Sequence, residues 1–219
     1  MSVASAETWR TLFAHALDLI DSVSASGAGT FVDWTFGGGT ALMLRHHHRV
    51  SRDIDIFVPD PQYLGYLSPR LNDVAASKSA RYSEQANALR FFFDDGEVDF
   101  IVAPPLTGDA YGRIDLLGRA VRLETPAEIV AKKVWYRGAF LKARDLFDIA
   151  LVIDREAARL AAATDYLVER RAVVLERLAQ DETRLRADFA LLDVLDYRPT
   201  YDHCVTTLRE FLQALRPPA

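Results

Sequence analysis

The chain has 219 residues, half of them hydrophobic, with 26 lysines and arginines against 31 aspartates and glutamates and a net charge of -5. That composition excludes a disordered or fibrous chain and can fill one substantial core or two small ones. The single cysteine, Cys204, excludes an internal disulfide and a thiolate zinc cluster, and the acidic balance means that any nucleic acid must be met by a local basic patch.

In chain order, the N-terminus lacks the basic start and cleavage pattern of a secretory signal, and no window has the apolar length of a membrane span, so a cytoplasmic location without membrane partners is expected. Residues 6–24 read as an amphipathic helix with Trp9, Leu12, Phe13, Ala16, Leu17 and Ile20 on its apolar side. A strand is expected over Phe31–Phe36, then a glycine turn, a helix over 40–48 and a second strand over 53–58, closed by Pro59 and Pro61. A helix over Tyr63–Ala76 leads to strands near 80–85, 88–93 and 97–102, the last two joined by a hairpin turn at Asp95-Gly96. Short strands are expected between Arg113 and Leu123. Thr125 then reads as an N-cap, Pro126 as the first helical turn and Glu128 as the return arm of a capping box. From there to residue 216 the spacing predicts four or five helices, with 155–179 and 182–195 rich in Ala, Leu, Arg and Glu.

The chemistry lies at two junctions of the first strand-helix-strand unit. Gly38 and Gly39 let the backbone come close to a ligand, the free N–H groups opening a helix attract phosphate, and Thr40 adds a hydroxyl. On the following strand Asp53 and Asp55 project together, while Ile54 and Ile56 face the core. Two carboxylates so placed repel unless a cation stands between them, and hard oxygen ligands with a triphosphate suit Mg2+. The plainer alternatives are a tight turn for the glycines and a solvated strand end for the aspartates.

These residues carry a resemblance. Gly38-Gly39-Thr40-Ala41-Leu42, Leu44-Arg45, His48-Arg49, Ser51 and Asp53-Ile54-Asp55 resemble the signature of the AbiEii/AbiGii-type nucleotidyltransferase toxins, a branch of the DNA polymerase β-like nucleotidyltransferase superfamily. The resemblance implies an α+β chain, with a mixed sheet and flanking helices followed by a C-terminal helical bundle. It also implies a toxin with a cognate antitoxin, an NTP substrate and two Mg2+ ions, and transfer of a nucleoside monophosphate to an acceptor hydroxyl, in some members at the 3' end of tRNA. A catalytic region over 1–124 and a helical region over 125–219 that contributes to the site are expected.

The same resemblance calls for a third carboxylate on a neighbouring strand, and Asp99, between Val98 and Phe100, is the candidate; burying it demands a cationic partner, for which a metal beside Asp53 and Asp55 would serve. Otherwise it is the polar face of a half-exposed strand. A family lysine and an Arg-Asp-x-x-Asp helix resemble Lys133 and Arg144-Asp145-Leu146-Phe147-Asp148, which makes Lys133 a candidate phosphate ligand with Arg137 one turn further on. Asp145 has equal claims to a site role and to an ion-pair ladder, whereas Asp148 reads as structural, within reach of Arg144. His48 and Arg49 match the family pattern as groups for NTP phosphate or RNA; Ser51 matches it too, or instead caps the turn entering the strand of Asp53 and Asp55. The run His46-His47-His48 reads as part of a basic rim rather than a metal site, because consecutive helical residues point apart.

Phe91, Phe92 and Phe93 are expected to be mostly core, as are Trp135 and Tyr136, although either set could stack on bases. Two alternatives to RNA modification stand beside the main reading. The acceptor could be a protein or a small molecule such as an aminoglycoside, or the chain could be an inert nucleotide- or partner-binding protein of the same fold.

Overall fold

The structure is a computed structural model that describes residues 3–25 and 33–216, so the expected strand start at Phe31 lies outside the described residues. The chain forms two compact units, one of residues 1–41, 51–105 and 113–123, the other of 42–50, 106–112 and 124–219.

The first unit holds most of a seven-stranded mixed sheet. Its elements are α1 (Val3–Ala25), β1 (Thr35–Gly37), the start of α2 (Gly38–His46), β2 (Ile54–Val58), α3 (Gln62–Leu67), α4 (Asp73–Lys78), β3 (Tyr82–Gln85), β4 (Ala88–Phe93), β5 (Gly96–Val102), β6 (Tyr111–Leu116) and β7 (Arg119–Glu124). The strand order is β3-β4-β5-β2-β1-β7-β6. β2 pairs parallel with β5 and antiparallel with β1, and β4 joins β5 antiparallel. Alternation sets which face is core: Ile54, Ile56, Val58, Leu89, Phe91, Val98 and Phe100 are buried. Along α1 the helical period lays Leu12, Phe13, Ala16, Leu19 and Ile20 into the same core, with the Phe13 ring 4.9 Å from that of Phe36.

Three departures from expectation have local causes. The helix expected over 63–76 is broken into α3 and α4, because Ser68 precedes Pro69 and takes an extended conformation; Asn72 then caps α4 by accepting from the Ala75 N–H. The β4–β5 turn falls at Asp94-Asp95, since Phe93 pairs with Gly96. Gly96 is required for close approach instead: a Cβ there would meet Leu12 Cδ1 at 2.8 Å and Asp53 Oδ1 at 3.2 Å. The β6–β7 turn is Leu117-Gly118, both left-handed, as a two-residue type I′ hairpin needs.

The second unit is helical, with α5 (Pro126–Arg137), α6 (Ala143–Glu156), α7 (Thr164–Gln180), α8 (Glu182–Ala190) and α9 (Tyr201–Ala214), and with 3-10 turns at Gly138–Phe140 and Ala157–Ala163. Thr125 caps α5 as expected, but the Glu128 carboxylate turns away from the cap. It accepts instead from the Leu106 and Thr107 N–H groups and the Thr107 hydroxyl, buried donors with a stronger claim on it than a helix end. Leu160, Leu167 and Val174 are buried at helical spacing; Trp135 is half-buried and meets Tyr166 edge-on at 5.3 Å, whereas Tyr136, expected as core, is exposed. Phe147 packs between Phe189 and Tyr197. Cys204 is buried in α9, where burial pushes its thiol up to about 12. Both units together give the expected α+β class.

Candidate functional site

In the first unit the expected groups gather along one row of the sheet. Asp55 on β2 is the register partner of Asp99 on β5 and of Gly37 on β1, and Asp99 is the register partner of Arg90 on β4. Register partners share a face, so Asp55, Asp99 and Arg90 stand side by side on the face opposite the core. Asp53 precedes β2, and its Oδ1 accepts from the Glu97 N–H at 3.3 Å.

Glycine is required where β1 passes into α2. Gly38 has φ +71, and a Cβ built on it would lie 1.9 Å from Asp55 Oδ2. Asp55 therefore occupies the space that a side chain at position 38 would take. Gly39 behind it is buried. Thr40 is also fully buried and does not present its hydroxyl outward: Oγ1 donates to the Asp53 backbone carbonyl at 2.6 Å and lies 3.0 Å from Ser51 Oγ. Thr40 and Ser51 thus fix the chain entering β2, holding the two aspartates relative to the glycine turn.

Asp99 is 6% exposed, and the cationic partner its burial demands is Arg90. Arg90 Nε and Nη2 donate to Asp99 Oδ1 and Oδ2 at 2.6 and 2.7 Å, a two-pronged clamp, while Nη1 lies 3.1 Å from Glu97 Oε2. Burial raises the Asp99 carboxyl to about 6; Arg90 opposes this, and the charges of Asp55 and Glu97 add to it. Arg90 is the residue that the sequence reading missed.

In the second unit the expected residues form a buried charge network. Asp148 is fully buried. It receives Arg49 through Nε and Nη2, both at 2.7 Å, His48 Nε2 at 2.8 Å and Lys133 Nζ at 3.1 Å. Lys133 also donates to Asp145 at 2.5 Å, and Arg137 reaches the same carboxylate at 3.5 Å, as their shared helix face implied. Burial pushes both aspartates up, but the cations overcome it and hold Asp145 below, and Asp148 well below, the usual carboxylate range. His48 lies below its ordinary value because burial outweighs its bond to Asp148. Of the expected basic rim, His47 is exposed, whereas His48 and Arg49 are buried around Asp148; a fully buried carboxylate draws its hydrogen-bond donors inward.

The donor set Asp53, Asp55 and Asp99 is chemically suited to a hard divalent cation, which would relieve the repulsion that Asp55 exerts on Asp99. It is not a ready-made cage: among the described residues no three His, Cys, Asp or Glu side chains are grouped to hold a metal. No helix among the described residues is long and apolar enough to cross a membrane.

The sequence model of the nucleotidyl transferase AbiEii toxin family, type IV toxin–antitoxin systems, matches residues 23–216. No curated protein matches the chain. Among solved structures, an H. pylori protein assigned as a nucleotidyltransferase is similar over 98% of this chain and 96% of its own, with TM-score 0.54 and 14% identity. MenT4, a nucleotidyltransferase toxin of Mycobacterium tuberculosis, is similar over 97% of this chain and 86% of its own, with TM-score 0.55 and 19% identity. The antibiotic-resistance factor ANT(2'')-Ia is similar over 80% of this chain and 97% of its own, with TM-score 0.50 and 15% identity.

Proposed function

Because the chain belongs to the AbiEii nucleotidyltransferase toxin family of type IV toxin–antitoxin systems, we propose that it transfers a nucleoside monophosphate from an NTP to the 3'-terminal hydroxyl of a tRNA. Family membership makes the protein a nucleotidyltransferase with an NTP substrate and an antitoxin partner. The observation that carries the reading is the row Asp55–Asp99 on adjacent parallel strands, with Gly38 pressed against Asp55.

In the proposed reaction the acceptor oxygen bonds to the α-phosphorus, the bond from that phosphorus to the pyrophosphate oxygen breaks, and the hydroxyl proton passes to the Asp99 carboxylate. Asp53, Asp55 and Asp99 would hold two Mg2+ ions, which supply neutralisation of the triphosphate charge and acidify the attacking hydroxyl. Gly38, Gly39 and the N–H groups opening α2 form the phosphate-attracting turn, with Thr40 and Ser51 keeping its register to β2. Lys133, Arg49 and Asp145 match the family pattern and belong to the buried charge network of the second unit. A cytoplasmic location fits this chemistry.

Purified protein incubated with Mg2+ and each α-labelled NTP, against separate tRNA, protein and small-metabolite pools, tests the acceptor. Label on the tRNA 3' end is the expected result. Label only on protein or on a small molecule would replace the tRNA by that acceptor, and tight NTP binding without pyrophosphate release from any pool would favour an inert binding protein.

A further inference from the structure

The Arg90–Asp99 pair carries a step beyond the reaction itself, and rests on the nucleotidyltransferase reading. Both Asp99 oxygens are engaged by one guanidinium, at 2.6 and 2.7 Å, so a cation approaching that carboxylate from the clamped side meets Arg90. The guanidinium has a second anchor, Glu97, 3.1 Å from Nη1, on the same strand as Asp99 and two residues before it. Backbone pairing fixes Arg90 opposite Asp99, and the fully buried neighbours Leu89 and Phe91 hold that stretch of β4 in place. The two members differ in access: the Arg90 side chain is 44% exposed and that of Asp99 is 8% exposed, so the arginine has room to shift toward Glu97 while the aspartate does not.

We propose that Arg90 is a positioning residue that serves as the resident counter-cation of Asp99, fixing the carboxylate beside Asp55 until a divalent cation takes over at least one of its oxygens, with Glu97 retaining the displaced guanidinium. The clamp prevents the carboxylate from rotating toward solvent or Asp55. It also competes with metal, since a cation at Asp99 meets the repulsion of the arginine it replaces. No bond to substrate is assigned to Arg90; it acts through Asp99.

The test uses the full chain and Mn2+ in the absence of NTP and acceptor, with wild type, Arg90→Gln, Arg90→Lys, Asp99→Asn and the double variant Arg90→Gln/Asp99→Asn, each checked for folding by circular dichroism and thermal midpoint. Arg90→Gln is expected to bind Mn2+ about 10-fold tighter than wild type, and the gain is expected to vanish in the Asp99→Asn background. In steady-state transfer, Arg90→Gln and Arg90→Lys are expected to lose about 10- to 100-fold in kcat with KM for NTP within about 2-fold of wild type, because lysine keeps the charge but not the fork. Equal Mn2+ affinity in wild type and Arg90→Gln, or a gain that persists without Asp99, overturns the inference while leaving the nucleotidyltransferase reading in place. Wild-type protein that neither binds Mn2+ nor transfers a nucleotide overturns that reading, and the inference with it.

Discussion

Gly38 and Asp55 share one volume: the space a Cβ would need at position 38 is held by Asp55 Oδ2, 1.9 Å from the ideal Cβ position. The backbone there is left-handed, with φ +71, which a side chain strains further. Gly38→Ala must therefore displace the carboxylate or unwind the start of α2. Turnover is expected to fall by about 100-fold or more, since displacement of a reacting group by about 1 Å has that effect. Alanine at 38 with wild-type kinetics would show that the contact has no part in catalysis.

Asp148 is a different kind of carboxylate, with four hydrogen-bond or ion-pair contacts from His48, Arg49 and Lys133 inside the second unit. Removing it takes from buried Arg49 both of its contacts to this carboxylate and from Lys133 one of its two aspartates. Asp148→Ala is expected to lower the stability of the chain by about 3–5 kcal/mol in urea unfolding. Loss of activity with an unchanged unfolding midpoint would instead assign Asp148 a direct part in the reaction.

Glu128 makes the corresponding case at the start of α5, where it accepts from Leu106 N–H, Thr107 N–H and the Thr107 hydroxyl. Glu128→Ala strands these donors and is expected to cost about 1–3 kcal/mol. If hydrogen exchange at the Leu106 and Thr107 amides is as slow in the variant as in wild type, the carboxylate is not what protects them.

His48 sets a pH dependence whose sign follows from its environment. Burial holds its folded pKa below the ordinary value of 6.5. The unfolded chain therefore takes up a proton at this position before the folded chain does, so stability contributed by neutral His48 is present above about 6.5 and is lost as pH falls below it. Asp99, raised to about 6 by burial, has the opposite slope over the carboxylate range, so the comparison must be with a variant that changes only the histidine. Wild type is expected to lose more stability than His48→Gln between about pH 7.5 and 5.5; parallel losses in the two proteins would mean that His48 titrates normally.

Strand β2 and the glycine turn were legible because alternation and left-handed backbone are local properties of the sequence, and Ile54, Ile56 and Val58 turn inward as their spacing implied. Arg90 was not. Placing the hairpin turn at Asp95-Gly96 sets Phe92 opposite Asp99, whereas the actual turn at Asp94-Asp95 sets Arg90 there. Gly96 misled the register because it is glycine for a tertiary reason, the approach of Leu12 and Asp53, rather than for the turn. The buried network around Asp148 was hidden for a related cause. Arg49 and Asp148 lie far apart in sequence, and charge spacing along one helix pointed Asp148 to Arg144 rather than to a residue from another segment. Ser68 before Pro69 did signal the break in the helix over 63–76, and the reading passed over it.

The central claim is that the face carrying Asp55 performs nucleotidyl transfer. Its most direct test is transfer of α-labelled NTP to total tRNA by wild type and by Asp55→Asn, a change that keeps the shape beside Gly38 and removes the charge. Label transfer by wild type that disappears in a folded Asp55→Asn protein is the expected result. Equal labelling by the two proteins would contradict the account.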